Sequence, residues 1–128
     1  MSARGASALD SARRLRLQAP VFAALGDQTR LSLLVKLCDG APRSIAQLSA
    51  GTEITRQAIT KHLRVLEGAG VVRSRKEGRE SQFTLQPAPL QEARDYLDRV
   101  SAQWDQALAR LKAFVEHHPT QPTQKEKP

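Results

Sequence analysis

Apolar positions along the chain first fall into order after residue 18. Ala19 to Leu25 is a short apolar run with Pro20 where a first helical turn tolerates it, and Gly26 stops it. Asp27 is placed to cap a second helix, Gln28 to Asp39, in which Leu31, Leu34, Val35 and Cys38 recur at three- and four-residue spacing as the expected buried stripe. Gly40-Ala41-Pro42 closes it. Ser44-Ile45-Ala46-Gln47 is a capping box: the serine oxygen can take the amide of the third helical residue while the glutamine side chain returns to the serine amide. The short helix it opens runs to Gly51. After a tight Gly51-Thr52-Glu53-Ile54 turn, Thr55 can cap a fourth helix, and Ile54 and Ile59 stand at hydrophobic-staple spacing. Gly68 and Gly70 end that helix. The period then switches to two. Val71 to Lys76 and Ser81 to Gln86 are β-compatible runs joined by Glu77-Gly78-Arg79-Glu80, with Phe83 and Leu85 on one face, which predicts a small hairpin.

From Leu90 the pattern lengthens again. Leu90, Leu97, Trp104 and Leu111 repeat every seven residues, and Ala93, Val100, Ala107 and Phe114 follow them three places behind. One helix with such a seam has to bury it. The core available upstream covers only part of it, so these eight residues are the expected dimer interface with a second copy, the alternative being a long helix packed within one chain. Residues 1–18, with Arg4, Arg13, Arg14 and Arg16 against Asp10, are expected to be a disordered basic arm or a leading helix, 19–118 the folded domain, and 119–128 a disordered tail. The fold class expected is mainly α with a small β-hairpin, a winged helix-turn-helix with a long C-terminal dimerisation helix.

Helix, turn, helix, hairpin is the order in which the helix after the turn enters a DNA major groove. If Ile59, Leu63 and Leu66 face the core, a step of about 100° per residue gathers Arg56, Gln57, Thr60, Lys61 and Arg64 on the opposite face, with Glu67 at its edge. Glutamine pairs bidentately with adenine, arginine with guanine or a phosphate, and a threonine methyl packs on thymine. Lys61 and Arg64 suit the flanking backbone. Arg73, Arg75, Lys76 and Arg79 line the hairpin, as in a wing lying on phosphates or entering a minor groove. Arg43 and Ser44 stand at a helix N-terminus, where free amides can hold a phosphate. A solvated helix face and a charged edge strand are the bland readings of the same residues.

Composition narrows the field. The 128 residues carry a formal charge of +7, one cysteine and three histidines, which suits a polyanionic partner and excludes an internal disulfide or a zinc site of paired thiolates. No apolar run is long enough for a bilayer, which needs about 20 residues, and the single cysteine fits a reducing cytoplasm, where the protein is expected. Enzyme chemistry finds no nucleophile elbow, phosphate loop or carboxylate pair, and no cofactor is expected. Five aromatic residues, four of them at apolar-periodic positions, leave little for stacking on single-stranded RNA. A dimeric adapter that binds another protein through the long helix is the competing class.

Three stretches carry a resemblance: Phe22 to Leu31, Ile54 to Val72, and Gly78-Arg79-Glu80. Over about Pro20 to Val115 the sequence resembles the ArsR-type winged helix-turn-helix repressors, with Gln28 where that family often has proline. The resemblance implies a cytoplasmic prokaryotic homodimer, paired through its first and last helices, that binds an imperfect inverted repeat in double-stranded DNA and represses its own operon. The best-known members sense metals. Their Cys-x-Cys pattern has no counterpart in Arg43 to Ser49, and the Asp-x-His pattern of the last helix is missing at Asp95-Tyr96-Leu97 and Asp105-Gln106-Ala107, although Glu116, His117 and His118 cluster near its end. No metal site is therefore expected, a metal- or thiol-responsive member of the same family being a further alternative, and no motif identifies a small-molecule inducer. Cys38, on the apolar stripe, is expected to be an inert packed thiol and His62 a packing or phosphate-touching residue.

Overall fold

The computed structural model describes residues 3–117, with side chains from residue 9 onward. The first helix, α1 (Ala3–Leu25), begins sixteen residues earlier than the apolar pattern predicts. Residues 3–18 are rich in Ala, Leu and Arg, strong helix formers whose signal is local propensity rather than an apolar stripe. Pro20 consequently lies in the helix interior, where its missing N–H leaves the Arg16 carbonyl without a helical donor. Asp27 caps α2 (Gln28–Lys36) as expected, its carboxylate accepting the Arg30 amide at 3.0 Å.

The expected stripe of α2 is corrected by the structure. Leu33, Leu34 and Leu37 are the buried residues, while Leu31, Val35 (71% exposed) and Cys38 face outward. A nine-residue helix with five aliphatic residues in and just after it offers two apolar stripes, and packing against the other helices selects between them. Leu37 ends the helix by donating its amide to the Leu33 and Leu34 carbonyls, so Cys38 belongs to the turn that follows. The packed-thiol expectation fails with the stripe.

A two-residue strand without a sequence signature, β1 (Arg43–Ser44), precedes α3 (Ile45–Ser49). The capping box is complete, with Gln47 N donating to Ser44 Oγ at 3.1 Å and Ser44 N to Gln47 Oε1 at 2.8 Å. Thr55 caps α4 (Arg56–Gly68) by accepting the Ala58 amide at 3.1 Å. The hairpin is β2 (Val72–Glu77) and β3 (Glu80–Leu85), each displaced by a single residue from its expected bounds. Gly78 at φ 63° begins the link between the paired Glu77 and Glu80, the positive φ that a type II′ turn requires at its first central residue. β3 lies between its two antiparallel neighbours in a sheet of order β1-β3-β2. The last helix, α5 (Pro87–His117), follows at once.

The chain divides into two compact units, Met1–Arg94 and Asp95–Pro128. In the first, Val21 and Ala24 of α1, Leu33, Leu34 and Leu37, Leu48 of α3, Ile59, Leu63 and Leu66 of α4, and Val71, Val72 and Phe83 form the core. Each large side chain so covered is worth roughly 1.5–3 kcal/mol over its exposed state. Ala93 is 3% exposed in this core and Leu90 packs against it, so these two of the eight expected interface residues are occupied within their own chain. In the second unit Leu97, Trp104, Ala107, Leu111 and Phe114 are exposed and Val100 is half-buried. His118 and the expected tail lie outside the described residues, and no described helix is long and apolar enough to cross a membrane.

Candidate nucleic-acid interface

The turn ahead of α4 is held from both sides. Thr52 Oγ1 donates to the Ser49 carbonyl at 2.9 Å and accepts the Ile54 amide at 3.3 Å, before the Thr55 cap takes over. With Ile59, Leu63 and Leu66 fully buried, Arg56, Gln57, Lys61 and Arg64 are exposed together on the outer face of α4, and Thr60 is half-buried among them. Thr60 Oγ1 donates to the Arg56 carbonyl at 2.8 Å, which satisfies the hydroxyl within the helix and leaves the methyl as the group's contact surface. A cleft of about 620 Å³ opens between the start of α3, this face and the hairpin tip, lined by Ser44, Ile45, Ala46, Arg56, Gln57, Thr60, Lys61, Arg79, Glu80 and Ser81.

Not every expected residue serves this cleft. Ser44 lines it, but the side chain is buried and its oxygen is engaged by the Gln47 amide. Arg43 is paired with Asp39 at 2.7 Å. The Ala41 amide and then the Arg43 guanidinium hold the Asp39 carboxyl below its ordinary value. Strand alternation divides the wing cations. Lys76 opposite Ser81 shares a sheet face with Ser74 and the buried Phe83, and Arg79 reaches the cleft from the turn. Arg73 and Arg75, opposite Thr84 and Gln82, stand on the other face, where a second hollow of about 390 Å³ lies.

Two further connections tie α4 to its neighbours. Glu67 Oε2 accepts from Ser74 Oγ at 2.6 Å while Glu67 Oε1 accepts from Arg64 Nη1 at 3.0 Å, so the last turn of α4 is fastened to β2 and the Arg64 charge is shared with a carboxylate. The Ser74 hydroxyl, and then Arg64, lower the Glu67 pKa. The Arg64–Glu67 pair has the i, i+3 spacing that sequence can show; the Ser74 bond depends on tertiary approach. Arg30 makes the other connection. Its Nε donates to the Ala24 carbonyl at 2.6 Å and its Nη2 to the Ala23 carbonyl at 3.4 Å, while Nη1 is 3.3 Å from His62 Nδ1. Asp27, its pKa lowered chiefly by the Arg30 amide, lies 3.8 Å from the same imidazole nitrogen. His62 thus faces the end of α1, not the cleft. Among the described residues no three His, Cys, Asp or Glu side chains are grouped as a metal would need.

On the second unit the exposed apolar stripe is wider than the two heptad rows, because Leu108 and Val115 join Leu97, Trp104 (64% exposed), Leu111 and Phe114. Leu108 and Val115 are themselves seven apart and stand four places after Trp104 and Leu111, so they form a third heptad row beside the two expected ones. Leu9, Leu15 and Leu17 of α1 are exposed as well.

Comparison with known proteins agrees with this geometry. Residues 27–74 match the family of bacterial regulatory proteins described as the arsR family. The uncharacterized HTH-type transcriptional regulator YuzN of Bacillus subtilis is 38% identical over 76 residues, 55% of this chain and 83% of that protein. An ArsR-like transcriptional regulator from Rhodococcus sp. RHA1 superposes with a TM-score of 0.65 at 40% identity, covering 77% of this chain and 92% of that one. A homodimeric winged helix-turn-helix DNA-binding domain from Mycobacterium bovis, at 23% identity and a TM-score of 0.50 over 98% of this chain and 97% of that one, is similar in fold.

Proposed function

Because the chain belongs to the arsR family of bacterial regulatory proteins, we propose that it is a homodimeric repressor that binds an inverted repeat in double-stranded DNA. The observation that carries this reading is the capped α4, which presents Arg56, Gln57, Thr60 and Lys61 into a cleft it shares with Arg79 of the wing, with Ile59, Leu63 and Leu66 fully buried behind them. Arg56 and Gln57, in the first turn, read base edges, since a recognition helix approaches the bases with its N-terminal residues. The Thr60 methyl packs on a thymine methyl. Lys61, Lys76 and Arg79 neutralise phosphates beside the groove, and Arg64, shared with Glu67, adds less charge than its position suggests.

Two such faces act together. The exposed stripe of α5, with Leu97, Val100, Trp104, Ala107, Leu111 and Phe114, closes against a second copy, assisted by the exposed leucines of α1. Half-sites then lie about one helical turn apart, 34–36 Å. Bound there, the dimer obstructs polymerase in the cytoplasm.

Fluorescence anisotropy with the duplex upstream of the protein's own gene, against a scrambled duplex and with chelator present, tests the proposal. The native duplex is expected to be preferred, and affinity to fall by orders of magnitude between about 50 and 200 mM salt. Arg56→Ala with Gln57→Ala is expected to abolish the preference while the dimer persists in sedimentation. Equal affinity of wild type and this variant for the native duplex overturns the reading.

A further inference from the structure

The outer face of the hairpin carries two arginines, Arg73 and Arg75, with Glu77 at its tip end. Arg73 and Arg75 are exposed two residues apart on β2, so their Cα atoms lie about 6.6 Å from each other along the strand. Among the described residues neither guanidinium has an ion pair or hydrogen bond, in contrast to Arg14, Arg30, Arg43 and Arg64. Directly across the ladder stand Thr84 and Gln82, which add a hydroxyl and an amide donor to the same face. Pro42 and Glu77 complete the rim of a hollow of about 390 Å³. The face is turned away from the side of the sheet that carries Ser74, Lys76 and Phe83.

Ser74 lies between the two arginines in sequence and points to the opposite side, where its hydroxyl donates to Glu67 of α4 at 2.6 Å. The strand that carries the two arginines on one face is therefore fastened to α4 by the other. We propose that this hollow binds a small anion with two oxyanion groups, a dicarboxylate or a diphosphate, and that its binding weakens DNA binding; the second part rests on the DNA-binding reading above. Each guanidinium takes one oxyanion group in the forked geometry it offers to carboxylate or phosphate, and Gln82 and Thr84 donate to the remaining oxygens. Glu77 at the tip end repels the anion and confines it to the Arg73 end. Occupancy cancels two positive charges on the wing and shifts β2, and with it the Ser74–Glu67 bond that sets the end of α4.

Calorimetric titration of the full chain with succinate, glutarate and inorganic pyrophosphate, each against acetate at matched ionic strength, tests the site. At least one of the three is expected to saturate with a Kd of about 1 mM. Amide NMR shifts are expected to centre on β2 and β3, and both signals to vanish in Arg73→Gln/Arg75→Gln, whose fold is checked by circular dichroism. Which probe saturates separates the dicarboxylate from the diphosphate source. The same anion is expected to weaken binding of the native duplex by about fivefold. In Ser74→Ala the anion still binds, but its effect on the duplex shrinks. No saturation by any of the three, or saturation that survives the double substitution, overturns the site. Anion binding with unchanged duplex affinity overturns the coupling. If no duplex is preferred at all, the DNA-binding reading fails while the titration still decides the site.

Discussion

The recognition half of the molecule and its last helix solve opposite problems. Between Asp27 and Leu85 every helix start is capped by a side chain, and Ile59, Leu63 and Leu66 of α4 and Phe83 of β3 are fully covered within the chain. From Leu97 to Val115 one helix presents leucines, a tryptophan and a phenylalanine to solvent. On the proposed reading, the DNA-contacting surface is preorganised in a single protomer, whereas the spacing between two such surfaces would come into being only when apolar faces meet. A protein built this way separates what it recognises from how tightly it holds on.

The largest effect is expected inside the covered half. Phe83→Ala removes a fully buried ring from the core and should cost about 3–5 kcal/mol of unfolding free energy in a denaturant titration. Next comes the uncovered helix: Trp104→Asp with Leu111→Asp should give a monomer by sedimentation with near-normal circular dichroism, and should weaken operator binding by about 100-fold or more through lost bivalency. If that variant unfolds instead, the stripe belongs to the chain's own core and the contrast between the two regions collapses. Thr55→Ala removes the cap of α4 and should cost about 1 kcal/mol in thermal or denaturant unfolding, with no change in dimerisation. The smallest effect is in acid. Glu67 has its pKa lowered in the fold, so its contribution is complete above the ordinary value of 4.5 and is lost as pH falls through the lower folded value. Glu67→Gln should remove that component, giving a shallower decline of stability below pH 4.5 in acid titration followed by circular dichroism.

How much of this could be read from the chain depended on whether the signal was local. The Ser44–Gln47 box, the Asp27 and Thr55 caps and the Gly78 turn are set by residues within four places of one another, and they stand where the sequence puts them. The buried side of α4 was equally legible because Ile59, Leu63 and Leu66 are its only strong apolar row. α2 was not, since aliphatic residues occupy both of its candidate faces and only the partners decide which is covered. β1 is two residues long, shorter than any period can register. At the site, the cationic face of α4 is visible in sequence, but helix-neighbour spacing alone does not decide that Arg43 turns to Asp39 and Arg64 to Glu67 and not to solvent. The split of the wing cations follows from strand parity, which the alternation rule supplies once the register is known.

Ser44 has a consequence for how the molecule comes apart. It is at once the last residue of β1, paired with Gln82 of the wing, and the N-cap of α3. The wing cannot lose this strand without releasing the cap of the helix that begins the reading motif. In native-state hydrogen exchange, hairpin and helix-turn-helix are therefore expected to open as one cooperative unit, with the amides of Ser44 and Gln47 as its seal.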